Sequence, residues 1–406
     1  MSQPSFFEIV RGELQATETR MRAVRHPADA NLQSALDHLL SAGGKRIRPT
    51  VALLAGHLVE APPEPLVNFA AAVEMLHTAT LVHDDLIDGA LLRRGIPTLN
   101  SQWTPGATVL TGDFIFAWAA HLGAQTDSVR VMVSFARTLM TIINGELAQM
   151  FGRTQRASRE EYDQRIYAKT AALFELAGSG AALIAVHESP LAPRLGDFGR
   201  QVGMAFQIVD DVLDFTADST RLGKPVGNDL RQGLITLPVL CYGDQHPEDQ
   251  DVQAVLDPEH RHQADVDRLV GAIAHSEAIP VAMSEARRFA SAARDALHGV
   301  PAGRYRDGLL ELAGFVVSRD IWEAGRGSTL TPGRWIEKRR SEWTLRLPST
   351  SGSPWFSRLA EWIPTPRRSS RPSCGDWWIP GTSTWCSISR RSISFPRPVC
   401  GSLSRP

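Results

Sequence analysis

The spacing of the apolar residues constrains the fold of this chain more than any other feature of its sequence. Through residues 1–320 they recur every three or four positions, most clearly over residues 73–81 and 202–213. This spacing is typical of one face of an α-helix, and the alternation of a half-buried strand is absent over any useful length. Breaks at turn-forming residues such as Ser189-Pro190 divide the segment into roughly ten to twelve helices of ordinary length. We therefore predict an all-α fold, a single large helical bundle with one core.

The last part of the chain, Ile321–Pro406, has another composition and no helical or strand period. It carries 14 Lys and Arg against 5 Asp and Glu, whereas residues 1–320 carry 29 basic and 39 acidic residues. Two explanations are open: a basic, aromatic segment that lies on a membrane or partner, or a disordered or non-native extension never selected to fold. The second is favoured, because a helix that lies on a membrane separates its apolar and charged residues onto opposite faces, and this segment shows no such separation. We predict a functional domain over residues 1–320 and an appended tail over residues 321–406.

Overall composition excludes several classes of protein. The net charge of −1 gives no reason to expect a nucleic-acid partner. No run of about 18 apolar residues is present, so we expect no membrane span. The N-terminal residues lack the pattern of a secretory signal, and four cysteines do not indicate a disulfide framework. We expect a cytoplasmic protein.

One acidic motif occurs twice, as DDLID at residues 84–88 and as DDVLD at residues 210–214. On a helix the first and last aspartates of each motif are i and i+4 and lie on one face. Three crowded carboxylates repel one another unless a cation lies between them. Oxygen ligands without His or Cys favour Mg²⁺, which is commonly shared with phosphate oxygens. Two such motifs facing each other would bind a diphosphate through bridging metal ions.

Basic residues around the first motif provide a site for a second anion. GGKRIRP at residues 43–49 has two glycines before Lys45 and Arg48 and a proline near a helix start, where the backbone favours negative charge. Arg93 and Arg94 follow the motif, and His77 precedes Asp84 by two helical turns. We expect these side chains to bind a second diphosphate.

Seven ordered motifs over residues 30–320 resemble the trans-isoprenyl diphosphate synthase family, which includes farnesyl, geranylgeranyl and longer polyprenyl diphosphate synthases. They are GGKRIRP, HTATLVHDDLIDGALLRRG, TGDFIF, NGELAQM, KTA, FQIVDDVLDF and LGKPVGNDLRQG. The resemblance implies an isoprenoid-synthase helical bundle around a central apolar cavity, and a homodimer. It implies two substrates, isopentenyl diphosphate and an allylic diphosphate, with three Mg²⁺ ions shared with the latter.

The resemblance also implies roles for individual residues. Isopentenyl diphosphate would be held by Lys45, Arg48, His77 and Arg94. The Mg²⁺ ligands would be Asp84, Asp88 and Asp210, supported by Asp85, Asp211 and Asp214. The allylic diphosphate would be bound by Arg93, Lys169 and Lys224, with Thr170 and Gln207 at the same mouth. One position departs from the family: Leu234 stands where many relatives have a lysine, which puts one diphosphate contact in doubt.

Such residues suit ionisation of an allylic carbon–oxygen bond, because metal ions and fixed cations stabilise the leaving diphosphate. No side-chain nucleophile is needed, and no Ser/His/Asp or Cys/His arrangement is evident. Three other functions stay open: a terpene cyclase or head-to-head synthase, a non-catalytic subunit, and a synthase inactivated by its tail. The glycine-rich anion site argues against the cyclase, and the six intact aspartates argue against the non-catalytic subunit.

Product length depends on the helix ahead of the first motif. Ala79 and Thr80 lie about one turn, ~5 Å, deeper than Asp84. In short-chain members of the family, aromatic residues here close the cavity, and both residues are small in this chain. Leu76 lies on the next turn and narrows the cavity without a firm plug. We therefore expect a product of geranylgeranyl length or longer.

Overall fold

The computed structural model describes residues 4–24, 30–41, 43–93, 96–151, 158–185, 189–216, 226–256 and 263–318. The tail from Ile321 onwards, Arg94 and Lys224 lie outside these ranges. Predictions that concern them, including the domain boundary at residue 320, stay predictions.

The described residues form 17 α-helices, and the all-α prediction is confirmed. In chain order they are α1 (Ser5–Ile9), α2 (Arg11–Arg22), α3 (Ala30–Ser41), α4 (Ile47–Leu58), α5 (Pro63–Ile87), α6 (Leu99–Gln102), α7 (Pro105–Ala124), α8 (Val129–Phe151), α9 (Arg159–Ile166), α10 (Ala172–Ala182), α11 (Ala192–Thr216), α12 (Asn228–Arg231), α13 (Leu237–Gln245), α14 (Gln250–Leu256), α15 (Gln263–Ala274), α16 (Ala278–Ala296) and α17 (Arg304–Val316). Eleven of them have eleven or more residues, in line with the expected number. The excess consists of shorter helices, over which a 3.6-residue period is hard to detect.

Two short irregular elements interrupt the helices. Strands β1 (Leu92–Arg93) and β2 (Ile96–Pro97) pair antiparallel, with Leu92 opposite Pro97 and Arg93 opposite Ile96. A single π-helical turn, Tyr167–Ala171, joins α9 to α10. Turns of this kind are frequent at functional sites, because the extra residue displaces side chains from the regular helical positions.

Two clusters of buried apolar side chains form the core, and helix α11 belongs to both. Phe198 and Val202, in its first half, pack with residues from α1–α8, α10, α16 and α17. Ile208 and Phe215, in its second half, pack with residues from α9 and α12–α16. The second acidic motif occupies the last turns of this central helix, which fixes its position.

Helix α5 carries the first acidic motif. Among the described residues it is the one helix with the length and hydropathy of a membrane span, and 72% of its most apolar 18-residue stretch is buried inside the protein. Residues Phe69–Val73 have no exposed surface. Neighbouring helices therefore cover the apolar surface of α5.

Helices α10 and α11 pack against each other through glycines. A methyl group at Gly178 would overlap the carbonyl oxygen of Leu195, and one at Gly199 would overlap the carbonyl oxygen of Phe174. Both obstacles are backbone atoms, which cannot move aside as a flexible side chain can. This close approach brings the π-helical turn against α11.

We predict that Gly199→Ala lowers the free energy of unfolding by about 2 kcal/mol, because an overpacked core must shift its backbone. Chemical denaturation monitored by circular dichroism measures the change. Gly271→Ala is the matched control, since Gly271 is a helical glycine with open space around it. There the stability should stay constant or rise by up to about 1 kcal/mol. Equal stability of the two variants would contradict the packing argument.

Candidate active site

The first acidic motif lies where helix α5 ends. Asp84 and Asp85 are in its last turn, and Asp88 is its C-terminal cap, with its N–H donating to the carbonyl oxygen of Asp84 at 2.8 Å. The carboxyl end of a helix carries partial negative charge, so anions are unfavourable there. Burial raises the pKa of Asp84 to about 6, and Glu146 and Asp88 add to the shift while Lys169 and Arg93 oppose it. This position is therefore suited to binding a cation.

Asp85 is buried, and Arg93 pairs with it. The Nε of Arg93 donates to both carboxylate oxygens of Asp85, at 2.9 and 3.0 Å. Arg93 belongs to strand β1, which follows α5, and its guanidinium points back to the end of α5. The carboxylate of Asp85 thus keeps Arg93 beside the first motif.

The second acidic motif places its three aspartates in different surroundings. Asp210 is exposed, whereas Asp211 is 3% exposed. The Asp211 carboxylate accepts hydrogen bonds from the Tyr162 hydroxyl at 2.7 Å and from Gln207 Nε2 at 2.9 Å. Thr170 Oγ1 in turn donates to Gln207 Oε1 at 2.6 Å. Burial raises the pKa of Asp211 to about 7, against the hydrogen bond from Gln207. Asp211 therefore connects α11 to α9 and to the π-helical turn.

The third aspartate, Asp214, caps the short helix α12. Its two oxygens accept hydrogen bonds from the backbone N–H groups of Asn228 at 3.1 Å and Asp229 at 3.0 Å. Burial raises its pKa to about 7, and the charge of Asp229 adds to the shift. Asp214 thereby brings Asp229 close to the second motif.

Lys169 connects the two motifs. It lies on the π-helical turn, with its Nζ 3.6 Å from Glu146 Oε1 of helix α8. Burial lowers the pKa of Lys169, but Glu146, Asp84, Asp88 and Asp229 together raise it above its ordinary value. The charge of Lys169 therefore interacts with carboxylates of the first motif and with Asp229. Asp229 in turn donates its backbone N–H to Asp214 of the second motif.

The glycine-rich segment ends at helix α4. Arg48 lies in the first turn of α4, with its guanidinium carbon 4.6 Å from the centre of the Phe174 ring on α10. Such stacking orients a guanidinium while leaving its edge for an anion. Lys45 precedes α4, and His77 lies on α5; both are half-buried. Helix α10 begins where the π-helical turn with Lys169 ends, and its Phe174 ring stacks on Arg48. Helix α10 therefore links Lys169 to the cations at the start of α4.

A cavity of about 240 Å³ opens beside the first motif. Its walls include Asp88, Glu146 and Leu234, the last on the segment after α12. An apolar side chain thus occupies the position at which many relatives would have a lysine. The residues predicted to control product length lie further along α5, where Leu76 and Ala79 are fully buried and Thr80 is half-buried.

The oxygen ligands of this site suit a Mg²⁺ ion whose coordination is completed by phosphate oxygens of a substrate. Within the described ranges, no three His, Cys, Asp or Glu side chains converge closely enough to hold a metal ion by themselves. Mg²⁺ usually takes only one or two carboxylates and completes its coordination with water and phosphate oxygens. The raised pKa of Asp84, with neighbouring carboxylates contributing, agrees with such a site. Asp84, Asp88 and Asp210 fit this role.

Comparison with known proteins decides the family. The family model for polyprenyl synthetase matches residues 29–273, more than half of the chain. The chain belongs to the polyprenyl synthetase family. Its predicted identity as a trans-isoprenyl diphosphate synthase, a prenyltransferase, is confirmed.

Two relatives and one solved structure illustrate the similarity. Octaprenyl diphosphate synthase of Haemophilus influenzae is 36% identical over 287 residues, which are 70% of this chain and 87% of the relative. Heptaprenyl diphosphate synthase component 2 of Geobacillus stearothermophilus is 36% identical over 321 residues, 79% of this chain and 100% of the relative. The crystal structure of polyprenyl synthase from Caulobacter crescentus, complexed with calcium and isoprenyl diphosphate, has a TM-score of 0.71 and 34% identity and covers 77% of this chain and 97% of that chain.

Sequence reasoning missed three polar residues of this polyprenyl synthetase site. Glu146 and Asp229 belong to motifs that carry the resemblance, NGELAQM and LGKPVGNDLRQG, so their positions gave a signal. Tyr162 gave none, because its hydrogen bond to Asp211 depends on how α9 packs against α11.

We predict that Asp84→Asn stabilises the metal-free synthase at pH 8 by on the order of 1 kcal/mol, since each pKa unit is worth about 1.4 kcal/mol and partial exposure reduces it. The ionised carboxyl is unfavourable above its folded-state pKa of about 6, and this penalty declines as pH falls towards 3.8. Thermal unfolding in excess EDTA at pH 8 and pH 4.5 measures both effects. Asp197→Asn, which changes an exposed aspartate of α11, is the control. A destabilised Asp84→Asn protein at pH 8 would contradict the electrostatic account.

Proposed function

We propose that this synthase condenses isopentenyl diphosphate with an allylic diphosphate in a Mg²⁺-dependent reaction that yields a trans-polyprenyl diphosphate of geranylgeranyl length or longer. The observation that carries the proposal is the position of Lys169, whose Nζ lies 3.6 Å from Glu146 Oε1 and whose pKa is raised by the charges of Glu146, Asp84, Asp88 and Asp229. A diphosphate bound at this point would have both sets of carboxylates within reach. The proposal includes a cytoplasmic location, and the burial of α5 argues against its use as a membrane span.

Asp84, Asp88 and Asp210 would hold the Mg²⁺ ions, three in number by resemblance to the family. The calcium and isoprenyl diphosphate named for the Caulobacter crescentus synthase support a divalent cation at such a site. When bound, Mg²⁺ would supply positive charge to the diphosphate leaving group. Asp211 and Asp214 act differently, since their carboxylates hold α9 and α12 in position.

The cations of the site would bind the allylic diphosphate. Lys169 reaches it from the π-helical turn, and Asp85 keeps Arg93 at the same mouth. Lys224 joins them by family resemblance. Fixed positive charges of this kind stabilise the charge that develops as the carbon–oxygen bond breaks. Thr170 donates a hydrogen bond to Gln207, which orients the Gln207 amide at this mouth.

Isopentenyl diphosphate would bind beside it, at Lys45, Arg48, His77 and Arg94. Its double bond attacks the allylic carbon, a carbon–carbon bond forms, and a proton leaves to the released diphosphate. Stacking of Arg48 on Phe174 supports a guanidinium fixed for phosphate recognition.

Incubation with labelled isopentenyl diphosphate, an allylic primer and Mg²⁺ tests the proposal. Wild type should form labelled polyprenyl diphosphate, and Asp84→Ala or Asp210→Ala should lower kcat at least about a hundredfold because a charge-stabilising interaction is lost. Asp197→Ala on the same helix as Asp210 is the matched control and should keep wild-type turnover.

The assay separates a catalytic alternative from the inactive ones. A terpene cyclase would consume the allylic substrate and leave isopentenyl diphosphate untouched, whereas a non-catalytic subunit or a synthase inactivated by its tail would consume neither. Near-normal turnover of both aspartate variants at saturating Mg²⁺ would refute the proposed metal ligands.

The proposed product length rests on the side chains of α5 behind Asp84 and on the products named for the relatives. Ala79 and Leu76 are fully buried and Thr80 is half-buried, so no aromatic side chain of α5 stands one turn behind Asp84. The relatives named as octaprenyl and heptaprenyl diphosphate synthases support a long product. Thr80 donates its hydroxyl to the carbonyl oxygen of His77, which keeps this position compact.

We predict that Thr80→Phe shortens the product distribution towards farnesyl diphosphate, because an aromatic ring would close the channel about one turn below the motif. Chromatography of dephosphorylated products measures the chain lengths. Thr78→Phe is the matched control: Thr78 is also a half-buried threonine of α5, but two residues away it faces another side of the helix. A wild-type product that stops at ten or fifteen carbons would refute the argument.

A homodimer is proposed from the surface of helix α8. Its exposed residues Val129, Val133, Ala136, Met140, Ile143, Leu147 and Met150 repeat with alternating steps of four and three. This is the heptad pattern of a helix that packs against another helix. Within the described part of the chain nothing covers this row, and a second copy would bury it.

We predict that the double substitution Met140→Glu and Ile143→Glu converts the dimer into a monomer, because two charges would be buried in an apolar interface. Sedimentation equilibrium measures the oligomeric state. Arg137→Glu changes an exposed residue of α8 outside the row and should leave the dimer intact. A monomeric wild type would contradict the proposal.

A further inference from the structure

Arg46 lies between two proposed phosphate ligands, Lys45 and Arg48, in an unusual backbone conformation. Its φ of 51° and ψ of 30° are left-handed, and it is the N-terminal cap of α4. Residues other than glycine rarely adopt this region, and they remain there only when the surroundings hold them. The backbone turn at the start of α4 must therefore be held by contacts with other parts of the protein.

Two carboxylates hold the side chain of Arg46. Its Nη1 lies 2.8 Å from Glu74 Oε1 on α5, and its Nε lies 3.2 Å from Glu18 Oε1 on α2. The side chains of Arg46 and Glu74 are 14% and 6% exposed, so this pair is shielded from solvent. Burial lowers the pKa of Arg46, but the two carboxylates outweigh it and keep the guanidinium charged.

The backbone of Arg46 is fixed as well. Its carbonyl oxygen accepts hydrogen bonds from the N–H of Thr50 at 3.1 Å and from the Thr50 hydroxyl at 2.7 Å. On the other side, a side chain at Gly44 would come within 3.2 Å of the Arg46 guanidinium, so the small residue leaves room for the ion pair. Side chain and backbone together determine how the segment enters α4.

We infer that Arg46 is a positioning residue that sets the affinity for isopentenyl diphosphate by holding Lys45 and Arg48 in their binding orientation through Glu74 and Glu18. The inference rests on the proposed function of the two flanking cations. Arg46 turns its own charge inward to α2 and α5 and acts through its neighbours. It thereby makes the N-terminal helix α2 part of the support for this site.

Initial rates at saturating Mg²⁺, with each substrate varied in turn, test the inference. Arg46→Met should raise KM for isopentenyl diphosphate about tenfold or more, with KM for the allylic primer changed by less than about twofold, because misplaced cations weaken binding of one substrate only. Glu74→Gln and Glu18→Gln should raise the same KM by smaller factors. Arg46→Lys keeps the charge and should recover part of the affinity.

Arg20→Met is the matched control. Arg20 pairs with Glu64 at 2.7 Å and joins the same two helices, α2 and α5, but on an exposed surface. This variant should keep both wild-type KM values. A merely structural role for Arg46 predicts lower thermal stability with both KM values unchanged or raised equally, and either result would overturn the inference.

If Arg46→Met fails to fold, Arg46→Lys, Glu74→Gln and Glu18→Gln decide by the same comparison of KM values. A wild type that consumes isopentenyl diphosphate beside variants with unchanged KM refutes the inference alone. A wild type that does not consume isopentenyl diphosphate refutes the proposed function, and the role of Arg46 with it.

Discussion

Carboxylates gathered at the carboxyl ends of two buried helices are the constraint on which the rest of this structure depends. Asp84 lies at the end of α5, where the helix terminus already carries partial negative charge, and Asp210 lies nearly two turns before the end of α11. Burial of Asp84 makes its charge unfavourable, as the pKa of about 6 indicates. Lys169 offsets part of this cost, and under the proposed function metal ions bound with the substrate would offset more of it. Ligands that bind only the folded protein stabilise it.

The helical bundle keeps these charges in place. Glycines let α10 and α11 approach until their backbones touch, and the π-helical turn that precedes α10 then presents Lys169 and Thr170 to α11. Asp211 is hydrogen bonded on both oxygens and connects three elements. The two motifs are alike in sequence but differ in use: Asp85 holds Arg93, whereas Asp211 and Asp214 hold parts of the fold.

Much of the fold and of the site could be predicted from the sequence. The helical period predicted the all-α architecture, and the duplicated acidic motif predicted the aspartates that the structure places toward the ends of α5 and α11, because these signals are local. Glu146 could be located only as a member of the NGELAQM motif, and the roles of Tyr162 and Arg46 could not be assigned, since they depend on which helix faces them. The capping role of Asp214 could not be predicted either, because it depends on hydrogen bonds from the backbone N–H groups of Asn228 and Asp229, which lie outside the motif. Short helices such as α6 and α12 are below the length at which a period can be read.

The central claim is that both motifs act on one diphosphate through a divalent cation. Calorimetric titration of inorganic diphosphate into the full-length chain, with and without Mg²⁺, tests it without catalysis. The account predicts binding that requires Mg²⁺ in wild type and is weakened at least about tenfold by Asp84→Ala and by Asp210→Ala alike, since each removes a ligand of the same assembly. Binding that is equally tight without Mg²⁺, or that either variant retains in full, would contradict it.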